Sequence, residues 1–127
     1  MKIVLSSVLV DDQDKALNFY TEILGFVKKT EMPAGRYRWL TVVSPDAADG
    51  AQLVLEPNEM AAAKVYQRAL YDAGIAATSF QVEDIELEYA RLLALGVNFR
   101  MKPTRMGGPI LATFDDTCGN WISLHQL

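Results

Sequence analysis

Two stretches of this chain answer each other. Val8–Phe26 reads VLVDDQDKALNFYTEILGF, and Phe80–Phe99 reads FQVEDIELEYARLLALGVNF. Val10-Asp11-Asp12 corresponds to Val82-Glu83-Asp84 at an offset of 72 residues. Leu24-Gly25-Phe26 corresponds to Leu95-Gly96-Val97 at an offset of 71. In a chain of 127 residues such a repeat leaves room for two copies of one module and little else. Each copy runs from the end of a strand through an acidic cap into an amphipathic helix, and each helix ends at a glycine.

The flanking sequence extends both copies in the same order. Ile3–Val10 is rich in β-branched and aliphatic residues and predicts a strand. Ala16, Leu17, Tyr20, Ile23 and Leu24 recur at spacings of three and four, which predicts a helix with one apolar face. Strands follow at Phe26–Met32, Arg36–Ser44 and Ala51–Glu56, separated by turns at Pro33-Ala34-Gly35 and Pro45–Gly50. Glu59–Ala73 predicts a connecting helix that buries Ala62, Val65, Tyr66, Ala69 and Leu70. The pattern then restarts. Ile75–Val82 is a strand, and Asp84 caps a helix burying Ile85, Tyr89, Leu92 and Leu93. Strands follow at Val97–Met101, Ile110–Phe114 and Trp121–Gln126. The expected organisation is a single domain, 1–127, made of a βαβββ module at 1–57, a connecting helix at 58–74 and a second βαβββ module at 75–127.

A four-stranded sheet with one helix has one covered face and one open face. Two such modules satisfy each other by joining their sheets. The expected fold is therefore α+β, a curved mixed sheet around a cleft with the helices on its convex face, and a ligand is expected in the cleft.

Composition narrows the partners. Residues 1–56 carry 6 basic and 8 acidic groups, and residues 57–127 carry the same numbers, so each half stands at −2 and the chain at −4. With no basic patch, neither nucleic acid nor an anionic membrane is an expected partner. No apolar run approaches the ~20 residues that span a bilayer. The N-terminus lacks the small-residue cleavage site of a signal peptide. A single cysteine, Cys118, excludes an intrachain disulfide and fits a reducing compartment, so the expected location is the cytoplasm. A single histidine, His125, excludes any site with two imidazole ligands from one chain.

Three motifs carry a resemblance. They are V-x-D-x-x-x-A-x-x-F-Y-x-x-x-L-G-F at Val10–Phe26, V-x-D-I at Val82–Ile85, and F-x-D-x-x-G-N at Phe114–Asn120. Through them nearly the whole chain resembles the vicinal oxygen chelate superfamily, which includes glyoxalase I, the extradiol dioxygenases and the bleomycin- and fosfomycin-resistance proteins. The resemblance implies a homodimer whose cleft draws on both chains. It also implies a divalent metal held by His, Glu or Gln on the first and fourth strands of each module. The matching positions here are Leu5, Val54, Ala77 and Ser123. The first three have no donor atom, and a serine hydroxyl is a poor ligand. The expectation is a member without the usual metal ligands and with no bound cofactor. Glyoxalase and ring-cleavage activities, which need the metal to polarise substrate oxygens, are then in question.

Strand alternation predicts the cleft lining. Leu5, Ser7 and Leu9 come from the first strand, Gln52, Val54 and Glu56 from the fourth, Ala77, Ser79 and Gln81 from the fifth, and Trp121, Ser123 and His125 from the last. Glu56 and His125 are the candidates for acid–base chemistry, against the plainer reading of a solvated rim and a strand end. Trp39 and Trp121 can stack on a planar ligand or fill a core; the residues alone leave both open. Arg36, Arg38, Arg100, Lys102 and Arg105 can clamp an anion or carry solvated hairpin charge. Cys118 has no sequence neighbour that would activate it. The expected function is binding of a small organic molecule without a catalytic metal. The alternative is a lyase, isomerase or dioxygenase-type enzyme of the same superfamily.

Overall fold

The computed structural model describes all residues from Met1 to Leu127. Its elements follow the order β1 (Leu5–Val10), α1 (Gln13–Asn18, continued by a π-helical turn at Phe19–Ile23), β2 (Val27–Ala34), β3 (Tyr37–Val43) and β4 (Gln52–Pro57). After them come α2 (Ala61–Ala73), β5 (Ala76–Gln81), α3 (Ile85–Ala94), β6 (Phe99–Arg105), β7 (Ile110–Asp115) and β8 (Trp121–Gln126). The fold is α+β, with the βαβββ order present twice. The two sheets have the same permutation, β1-β4-β3-β2 and β5-β8-β7-β6, each with one parallel pair against otherwise antiparallel strands. The chain divides into two compact units, Met1–Val65 and Tyr66–Leu127, with the division inside α2.

In the first unit Asp12 caps α1, its carboxylate accepting from Lys15 N at 3.0 Å. The helix buries Ala16, Phe19 and Tyr20 with Val8, Val10, Leu40, Val42 and Leu55 of the sheet. Tyr20 meets Phe19 edge-on at 5.8 Å and stacks on Phe26 at 6.4 Å. One polar side chain enters this core. β3 and β4 pair only at Thr41↔Val54 and Val42↔Leu53. Beyond that point the Gln13 amide takes over the ladder. Its Nε2 donates to Arg38 O at 2.8 Å and Leu55 O at 3.0 Å, and its Oε1 accepts from Arg38 N at 3.1 Å.

In the second unit Asp84 caps α3, accepting from Leu87 N at 3.0 Å. The Gln126 side chain accepts from Ile85 N at 2.8 Å, which ties the start of α3 to β8. Ile85, Leu92, Ala112, Phe114, Ile122 and Leu124 form the core. Leu93, expected in that core, is exposed, because Leu92 takes the inward position.

The connecting helix departs most from its sequence pattern. Val65 is 70% exposed and Tyr66 61%, whereas Gln67 is 6% exposed. Polar anchors, not the apolar stripe, set its rotation. Gln67 Nε2 donates to Cys118 O and to Asn120 Oδ1, each at 3.1 Å. Tyr71 OH donates to Asp115 Oδ2 at 2.8 Å, and the Trp121 indole donates to Tyr71 O at 3.0 Å. Tyr71 and Trp121 stack with centroids 4.6 Å apart and planes 11° apart. Two glycines permit this approach. A Cβ on Gly119 would lie 2.8 Å from Gln67 Nε2, and one on Gly74 would lie 2.5 Å from the Arg100 guanidinium.

Smaller differences sit at element ends. β1 begins at Leu5 rather than Ile3, and α2 at Ala61 rather than Glu59. Pro33 and Ala34 belong to β2, paired with Arg38 and Tyr37, so the hairpin turns at Gly35-Arg36. Pro33 is tolerated because β2 is an edge strand. The strand expected at Val97–Met101 runs from Phe99 to Arg105.

Two predictions follow from these anchors. Gln13→Ala leaves two carbonyls and one N–H without their partner and lowers the urea-derived stability by about 2–4 kcal/mol. Gln13→Glu, which sets a carboxylate against two carbonyls, loses at least as much; a tolerated glutamate would show that the amide does not bridge the strands. The second concerns alkaline pH. Hydrogen bonding to the Asp115 carboxylate raises the Tyr71 pKa above its usual 10.0, with burial adding to the shift. A raised folded-state pKa gives stability that is complete below the unfolded value and lost as pH climbs through the folded one. The stability difference between wild type and Tyr71→Phe is therefore constant below pH 10 and shrinks above it. A difference that stays flat or grows there would contradict the bond.

Candidate functional site

Each sheet has a helix on one face and an opposite face that presents other side chains. In the first unit Val8, Val10, Leu40 and Leu55 point toward α1 and are buried, so their alternating neighbours stand on the other face. Register sets the rows of that face. Ser7 pairs with Val54, Val54 with Thr41, and Thr41 with Thr30. On one side of this row Leu5 pairs with Gln52; on the other Leu9 pairs with Glu56 and Met32 pairs with Trp39.

Chemically this face is an apolar floor with a few polar groups. Leu5, Met32 and Trp39 are exposed large apolar side chains, Trp39 at 37%. Leu9 and Gln52 are half-buried, Ser7 and Glu56 exposed. Val54 is buried within its row. Thr41 is completely buried, and its hydroxyl donates to Gln52 Oε1 at 2.7 Å.

The corresponding face of the second unit is more polar. Ala77, Ser79 and Gln81 are exposed on β5, and Ser123 and His125 are half-buried on β8. Ser79 pairs with Ser123, and Gln81 with His125. Ser79 Oγ lies 2.7 Å from His125 Nδ1, which fixes the imidazole orientation. Trp121 begins the same row but is only 7% exposed, covered by Tyr71 of α2. The two tryptophans weighed in the sequence thus differ: Trp39 is presented, Trp121 is enclosed. Glu56 and His125, the two acid–base candidates, belong to different units.

Four of the five basic residues weighed in the sequence are engaged locally. Arg38 pairs with Asp14 at 2.7 Å and with Glu31 at 3.5 Å. Arg36 pairs with Glu59 and lies over the Tyr37 ring at 5.4 Å. The hydrogen bond between Tyr37 and Glu59 raises the tyrosine pKa and lowers that of the carboxyl. The Arg100 guanidinium lies over Trp121 at 5.5 Å, against Gly74. Arg105 donates to Gly108 O at 3.0 Å within its hairpin. Cys118 is buried, its N–H donating to Asp116 Oδ1 at 2.8 Å.

The donor set does not suit a divalent metal. Leu5, Val54 and Ala77 offer carbon only, and Ser123 offers one hydroxyl. Nowhere do three His, Cys, Asp or Glu side chains converge in a ligating arrangement. No chemical step can be built through a metal on these residues.

Sequence reasoning alone missed Met32, Thr41, Gln67 and Tyr71. Met32 needed the β2–β3 register. Thr41 needed its contact with Gln52. Gln67 carried no distinct signal, since Lys64, Arg68 and Asp72 share its helix.

Comparison with known proteins gives the chain its relatives. The family described as Glyoxalase/Bleomycin resistance protein/Dioxygenase superfamily matches residues 2–124. The protein YurT of Bacillus subtilis (strain 168) is 56% identical over 126 residues, covering 99% of each chain. Among solved structures, UcmS2 superposes with a TM-score of 0.85 at 31% identity, covering 98% of this chain and 97% of that one. TnmS3, an antibiotic binding protein from Streptomyces sp. CB03234, superposes with a TM-score of 0.76 at 28% identity, covering 99% and 95%. With its repeated modules, its three motifs and a family match across almost its full length, the chain belongs to the Glyoxalase/Bleomycin resistance protein/Dioxygenase superfamily.

Proposed function

We propose that this protein binds a small, planar, mostly apolar organic molecule, and that it does so without a catalytic metal. The observation that carries the reading is Trp39, exposed on the helix-free face of the first sheet beside Met32, which is exposed too. A large indole held open to solvent on an apolar floor gives up favourable burial, and a stacking ligand restores it. Membership of a superfamily with an antibiotic-binding relative supports the same reading. A cytoplasmic homodimer is the proposed form, in keeping with the family resemblance and the lone buried cysteine.

A second reading rests on the Ser79–His125 contact. With Nδ1 held by Ser79, the imidazole is oriented to move a proton at Nε2, as a lyase or isomerase would require. Turnover abolished by His125→Ala, with binding retained, would favour this enzyme reading.

Two experiments test the leading proposal. A thermal-shift screen against planar aromatic compounds, antibiotics included, yields hits that Trp39→Ala weakens by roughly tenfold or more. Trp121→Ala, which removes a covered ring, alters melting temperature more than relative affinity. Hits indifferent to Trp39→Ala would refute the stacking surface. Metal analysis of protein purified without chelators shows no stoichiometric zinc, nickel, iron or manganese. One equivalent of any of them would overturn the metal-free reading.

A further inference from the structure

We propose that Gln52 selects the ligand on this face, and that the ligand class is planar compounds bearing a carbonyl oxygen. The inference rests on the stacking role proposed for Trp39. Its own support is the Thr41–Gln52 pair. Thr41 is completely buried, so its hydroxyl proton needs a partner within the protein. It finds Gln52 Oε1 at 2.7 Å. That bond occupies the acceptor end of the amide and leaves the NH2 end, a pure donor, as the group that Gln52 presents. Leu5 stands opposite Gln52 in the β1–β4 register, so the donor lies beside an apolar neighbour.

Position completes the argument. Thr41 and Trp39 are two residues apart on β3 and therefore share a face, with their backbones about 7 Å apart. Gln52 reaches that face at Thr41. Continuing the Thr41↔Val54 and Val42↔Leu53 pairing sets Gln52 against Val43, so the donor and the indole flank Thr41 from opposite sides, and a molecule stacked on Trp39 meets the donor with the edge that extends across Thr41. An amide NH2 in this setting favours a carbonyl over a methylene at the same position, since the methylene would bury the donor without a partner.

The test uses two compounds that differ only there, 2-hydroxyfluoren-9-one and 2-hydroxyfluorene, titrated by isothermal calorimetry against the full chain. The wild type binds the ketone about tenfold more tightly, the size of one hydrogen bond. Gln52→Leu removes the preference while still binding the hydrocarbon. Gln52→Glu keeps the shape and the bond from Thr41 but turns the donor into an acceptor, and it binds the ketone no better than the hydrocarbon. Trp39→Ala weakens both compounds alike. Melting temperatures of all variants establish that each is folded. A ketone preference surviving in both Gln52 variants, with both compounds still lost in Trp39→Ala, would overturn the role of Gln52 and leave the stacking surface intact. Equal binding of the two compounds by the wild type would do the same. Binding indifferent to Trp39→Ala, or no binding of either compound, would overturn the stacking surface and this inference together.

Discussion

A single helix can cover only one face of a four-stranded sheet. Everything of functional interest in this protein follows from that constraint. α1 and α3 each lie on one face of their sheet and drive its burial, leaving Tyr20 and Phe114 fully enclosed. On the opposite faces Thr41, Val54 and Trp121 are still buried, but other side chains, Trp39 and Ser79 among them, stay exposed and can carry chemistry. In the first unit they are mostly apolar with an exposed indole; in the second they are small, polar and include the one imidazole. The modules are built alike, but their open faces have diverged, because those positions contribute little to holding the sheet on its helix.

Polar side chains do structural work that apolar patterning does not reveal. Gln13 stands in for the ladder where β3 and β4 separate, and Gln67 pins α2 to the loop between β7 and β8. Both are almost fully buried, and a buried amide is stable only when both its ends are satisfied. That requirement makes them exacting: a shifted strand or a rotated helix strands several hydrogen-bonding groups at once. Asp116 extends the arrangement, accepting from Cys118 N, Asn120 N and Asn120 Nδ2 within one tight loop. The F-x-D-x-x-G-N motif therefore encodes a folded loop. Asp116 organises it, Gly119 admits Gln67 and Asn120 receives it.

The fold was largely legible in the sequence because its signals are local. Asp12 and Asp84 cap helices through their own side chains, and Gly25 and Gly96 adopt positive φ after the helices, as their positions imply. Strand alternation likewise accounts for the burial of Val8, Val10, Ile122 and Leu124. The rotation of α2 was not legible, since it is set by partners some 50 residues away: Gln67 with Cys118, and Tyr71 with Trp121. An apolar stripe predicts the buried side of a helix only when hydrophobic contact is what anchors it. The same long-range contact decides the site. Trp39 and Trp121 look alike in sequence, but Tyr71 and Arg100 cover Trp121 while Trp39 stays presented. Thr41 reads as an ordinary β-branched strand residue until Gln52 is seen to lie against it.

The positions where the family resemblance places metal ligands show why a chain of this fold is free to vary its chemistry. Leu5 and Ala77 lie on strands at sheet edges, on faces away from the helices, where replacing a ligand by a hydrocarbon leaves no buried charge behind. Substitution at such positions leaves the core intact. It also changes what the face can recognise. A cation draws in the oxygens of small polar substrates. Under the proposed metal-free reading, Leu5, Leu9, Met32 and Trp39 instead favour molecules that have apolar area to bury. Such a surface discriminates poorly among apolar compounds of similar size, because each contact is nondirectional. Whatever selectivity it has must come from the few fixed polar groups at its edge. A buried hydroxyl that holds an amide in one orientation is an arrangement that supplies direction at little entropic cost.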